Sequence, residues 1–65
     1  MNLTTKEANA ITQEIYAEIK RTLGGRKIDG RLYGSIFRHA ERRAHAGLRP
    51  WLTDELREIL DKFAE

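Results

Sequence analysis

The chain has 65 residues, of which 40% are hydrophobic and 34% charged; it has no Cys and a formal net charge of +2. This is one small domain, too apolar for a disordered segment, without a disulfide or thiolate–metal staple and without the run of about 18 apolar residues that a membrane span needs. The small net charge hides an asymmetry: residues 1–19 carry one Lys against three Glu, residues 20–50 carry nine Lys or Arg against Asp29 and Glu41, and residues 51–65 carry two basic residues against five acids.

The opening MNLTTKEANA is polar and lacks the apolar core of a signal peptide, so a cytoplasmic location is the default expectation. The first helix is expected over Thr5–Leu23. Thr4 is a suitable N-cap, and Glu7 stands three residues later, as a capping box requires. Ala8, Ile11, Ile15, Ile19 and Leu23 recur at steps of three or four and form one apolar stripe, which Tyr16 widens. Gly24 and Gly25 end the helix.

The segment GGRKIDG, residues 24–30, reads as a loop whose only apolar side chain, Ile28, plugs the top of the core. It matches neither GxxxxGK[ST] nor GxGxxG, and no strand precedes it, so it is not a nucleotide cradle.

The second helix is expected over Arg31–Ala46, starting from Asp29 or Gly30. Gly34 weakens it, marking either a close helix crossing or a late start at Ser35. Gly47 and Pro50 take the chain out of the helix. A third helix is expected over Asp54–Phe63, capped by Thr53, with Asp54 and Glu55 in the first turn where carboxylates favour the helix dipole. Leu52, Leu56, Ile59, Leu60 and Phe63 form its stripe, and Trp51 lids one end.

Three amphipathic helices with short links predict an all-α, three-helix domain over residues 1–65. The expected core is Ile11, Ile15, Ile19, Leu23, Ile36, Ala40, Ala44, Leu56, Leu60 and Phe63. The first helix is long for so small a domain, and a second copy covering its far end predicts a homodimer.

The charged stretch RHAERRAHAG, residues 38–47, divides on a helical wheel. Arg31, Arg38, Arg42 and His45 fall within about 60° of one another, bordered by Glu41, while Ile36, Ala40, Tyr33 and Ala44 take the opposite side. Glu41 is spaced to pair with Arg38 and His45. Arg43 lies near the apolar boundary and must snorkel or meet a carboxylate of the first or third helix.

A row of arginines can track phosphates, and Lys20, Arg21, Arg26, Lys27 and Arg49 extend the patch. Nucleic acid, with duplex DNA favoured, is the expected partner. The alternative is an adaptor whose basic face docks an acidic protein, and an ordinary solvated surface accounts for the same residues. The links are longer than in a helix-turn-helix, and the third helix is acidic, so a standard recognition helix is absent. The sequence shows no interleaving of basic and aromatic residues of the kind that stacks unpaired bases, although Tyr33 and Trp51 remain open to such a role.

His39 and His45 do not share a helical face, and HAERRAH is not HExxH, so no metal site is expected. Ser35 has no activating base at a telling spacing, and the carboxylates lie on helix surfaces. A non-catalytic protein without a cofactor is therefore expected.

Overall fold

A computed structural model describes residues 4–65. It is an all-α domain of α1 (Thr5–Leu23), α2 (Gly30–His45) and α3 (Asp54–Phe63), with no strand among the described residues.

Each helix begins where its polar cap dictates. The Glu7 N–H donates to Thr4 Oγ1 at 3.1 Å, and the Thr4 N–H and hydroxyl donate back to the Glu7 carboxylate at 3.4 and 2.9 Å. Asp29 accepts from the Arg31 N–H at 3.4 Å, and Thr53 Oγ1 from the Leu56 N–H at 3.2 Å. Two ends depend on left-handed glycines. Gly24 (φ 59°) closes α1 with its N–H on the Lys20 carbonyl. Gly47 (φ 73°) closes α2: the Leu48 N–H reaches the Arg43 carbonyl while the Gly47 N–H reaches that of Ala44, a paired pattern that satisfies two otherwise orphaned acceptors.

α1 is the central element. α2 returns antiparallel along one side of it, and α3 lies along another; α2 and α3 scarcely meet. At about 1.5 Å per residue, the 19 residues of α1 span most of the 36 Å long axis of the molecule. The core is Ile15, Ile19 and Leu23 from α1, Ile36, Ala40 and Ala44 from α2, Leu60 from α3, and Trp51 and Leu52 from the second link. Ile11, Ile28 and Leu56 are half-buried against it. The far end of α1, where a second copy was expected, lies beside the chain's own Ala44, Gly47 and Trp51, which line one groove with Ile11.

Phe63 is not part of the core; it is 55% exposed. The reason lies in what stands beside the last turn of α3. There Arg26 pairs with Asp61 at 2.8 Å, and Lys27 and Glu65 exchange backbone hydrogen bonds at 3.2 and 2.7 Å. This end of α3 meets the polar loop rather than the apolar stripe of α1, which stops at Leu23.

Gly34 marks neither a crossing nor a late start. α2 runs through it unbroken, and a Cβ built there meets only the Arg38 guanidinium, at 3.9 Å. Arg43 finds no carboxylate either. Its Nε donates to the Pro50 carbonyl at 2.9 Å and so holds the second link against the end of α2.

Candidate nucleic-acid interface

Arg31, Arg38, Arg42 and His45 are all exposed on the side of α2 turned away from α1, opposite the buried Ile36, Ala40 and Ala44. The helix fixes their spacing. Arg38 and Arg42 stand about 6 Å apart along the axis and Arg31 about 10 Å behind Arg38, all on one flank. Among the described residues none of the four forms an ion pair. The pairs expected from Glu41 to Arg38 and His45 do not form, and Glu41 is half-buried at the border of the row. No carboxylate lies within ion-pair distance of the three arginines of the row among the described residues.

The other basic residues divide. Arg26 is committed to the fold: its guanidinium donates to the Leu23 carbonyl at 2.9 Å and the Thr22 carbonyl at 3.2 Å, besides its bridge to Asp61. It caps the negative end of α1, as a cation does best. Lys27 is exposed beside it, with its backbone tied to Glu65. Arg49 lies over the Trp51 ring, 4.6 Å from the centroid, in a groove whose wall also carries Glu7 and Glu14, apart from the α2 row. Arg21 faces the α3 side, with Glu18, Thr22 and Arg57; Glu18 Oε2 is enclosed there without a hydrogen-bond partner. Lys20 and Arg26 of these five reach the α1–α2 seam, with Tyr16 and Tyr33, and of the two only Lys20 is not held by Asp61.

That seam holds what the sequence did not disclose. Tyr16 of α1 stacks with Tyr33 of α2 (centroids 6.1 Å apart, planes 28° apart) and packs against Phe37 of α2 (4.7 Å, 34°). An aromatic cluster thus lies between Lys20 and the arginine row in space, though not in sequence. Lys20 and Tyr16 lead to Tyr33 and Phe37, then to Gly34 with the Arg38 guanidinium laid over it, then to the arginine row. Partial burial, and then the neighbouring Tyr16, push the Tyr33 phenol above its ordinary value of 10.0. It stays protonated at neutral pH and able to donate a hydrogen bond.

No group of three or more His, Cys, Asp or Glu side chains is gathered for a metal among the described residues, and no helix among them is long and apolar enough to cross a membrane. Comparison with protein-family models, with curated proteins and with solved structures finds no match.

Proposed function

We propose that the chain is a small, non-catalytic nucleic-acid-binding protein of regulatory or accessory type, and that it holds duplex DNA on the outer face of α2. One observation carries the reading: Arg31, Arg38, Arg42 and His45 stand together on a single helix, exposed and, among the described residues, unpaired with any carboxylate. Cations spaced by a helix turn suit a duplex strand, whose phosphates rise by about 3.4 Å per step. Arg also presents a planar fork that grips phosphate in two places. Ion pairing within the fold would have absorbed these charges, as it absorbs that of Arg26.

The test is an anisotropy titration of labelled duplex DNA, single-stranded DNA and RNA at two salt concentrations. Phosphate contacts predict a linear fall of log affinity with log salt, with a slope of about −0.9 per phosphate neutralised on a duplex. Arg38→Ala with Arg42→Ala should reduce that slope by about two and weaken binding to every duplex sequence alike, with helicity unchanged. Absence of binding tighter than about 100 μM at about 50 mM salt, where charge contacts are strongest, would transfer the basic face to an acidic protein partner.

A further inference from the structure

We propose that the groove walled by Tyr16 and Tyr33 at the α1–α2 seam receives an unpaired nucleobase, as a second contact for a strand whose phosphates lie on the arginine row. This rests on the nucleic-acid reading of that row and extends it to a different side of α2.

The groove has the character such a ligand needs. It encloses about 320 Å³ and is lined by Tyr16, Lys20, Leu23, Gly25, Arg26 and Tyr33, with no carboxylate in its wall. Tyr16 is 49% exposed although Tyr33 and Phe37 pack on it, so about half of the residue stays accessible at the seam. Aromatic faces beside cations bind unpaired bases by stacking while the cations hold the phosphates, and this is tolerant of base identity. Lys20 supplies the near cation. On the surface of α2 the Arg38 guanidinium lies against Gly34, which the helical wheel puts between Phe37 and the arginine row, so the row begins one step around the helix from the rings. A duplex does not fit the seam, because its bases are stacked and turned inward. A flat base leaving the stack does.

A second copy of the chain is the competing occupant, and charge argues against it. A twofold interface brings the same patch onto itself. Here that would set Lys20 against its own counterpart with no acid in the wall to relieve it, Asp61 being already taken by Arg26.

The experiment compares a blunt labelled duplex with the same duplex carrying a short single-stranded thymidine extension. The wild type is measured against Tyr16→Leu, which removes the ring, and Tyr16→Phe, which keeps it. Circular dichroism confirms that each variant is folded. The extension should tighten wild-type binding by about 5- to 100-fold, the range expected for stacking one base on an aromatic ring. Tyr16→Leu should lose that gain and keep the blunt-duplex affinity; Tyr16→Phe should retain the gain. The Tyr16 ring protons should shift upfield when the extended duplex is added. An extension without effect, while the blunt duplex still binds, overturns the groove and leaves the arginine row standing. Loss of binding to both DNAs in the wild type overturns both readings. Conversion of a sedimenting dimer to a monomer by Tyr16→Leu also overturns the proposal and assigns the ring to an interface between copies.

Discussion

Gly34→Ala should stabilise the protein. Gly34 sits inside α2 with helical geometry on both sides, so its missing Cβ is a pure cost to the helix: about 1 kcal/mol relative to Ala. Most interior glycines are kept because a side chain would collide with something. Here the nearest atom to an added Cβ is the end of the flexible Arg38 side chain, at 3.9 Å, which is ordinary contact. No strain offsets the gain, and a methyl under the guanidinium gives Arg38 a surface to lie on. The expected effect is about 0.5–1 kcal/mol, or a rise of roughly 3–8 °C in Tm for a domain of this size. Urea unfolding should show the midpoint rising with an unchanged slope, since the surface exposed on unfolding is nearly the same. A loss of stability would refute the reasoning, because it would mean that α2 is not continuous at this point or that something packs over it. The binding assay adds a second reading. Gly34 lies between the aromatic groove and the arginine row, so a stabilised variant that binds DNA less well would show that the ligand approaches the helix backbone there.

Arg26→Ala should destabilise by about 1 kcal/mol, a modest figure because the ion pair is 39% and 71% exposed, and should leave duplex affinity nearly unchanged, in contrast to the pair of substitutions at Arg38 and Arg42. Ile15→Ala empties a fully buried position between α1 and its neighbours and should cost roughly 2–5 kcal/mol by chemical denaturation, a large share of the stability of a 65-residue domain. Because the Tyr33 pKa is raised on folding, its contribution to stability is full below the ordinary value of 10.0 and is lost as pH rises through the higher folded value. The urea midpoint of the wild type should therefore drop more than that of Tyr33→Phe between about pH 9 and 11, and equal drops would refute the assignment.

The helices were legible because their signals are local. Thr4 with Glu7, Asp29, Thr53 and the glycine after Leu23 act within three or four residues of a helix end, and each does in the structure what its position suggests. The arginine row was legible for the same reason, since a wheel needs only one helix. What lay hidden depends on how helices are placed against each other. Tyr16 reads as an apolar widening of the first stripe until α2 sets Tyr33 and Phe37 beside it. Arg26 reads as one more cation of a basic middle until the α1 terminus and Asp61 close on it. Phe63 has the spacing of a core residue, but spacing carries no information on where the opposing helix stops. Arg43 was expected to snorkel or to meet a carboxylate, and its actual partner is a carbonyl from a link whose path no periodicity describes.

The central position of α1 separates two tasks. Both the arginine row and the aromatic groove belong to the α1–α2 hairpin, while α3 closes on α1 with little contact to α2. α3 thus acts as a splint on a surface it does not share. Changes to its exposed positions, such as Glu55 or Glu58, can adjust how firmly the hairpin is held without altering what the hairpin presents. On the proposed reading, what the α1–α2 hairpin binds and the support that α3 lends it can then drift independently in the same short chain.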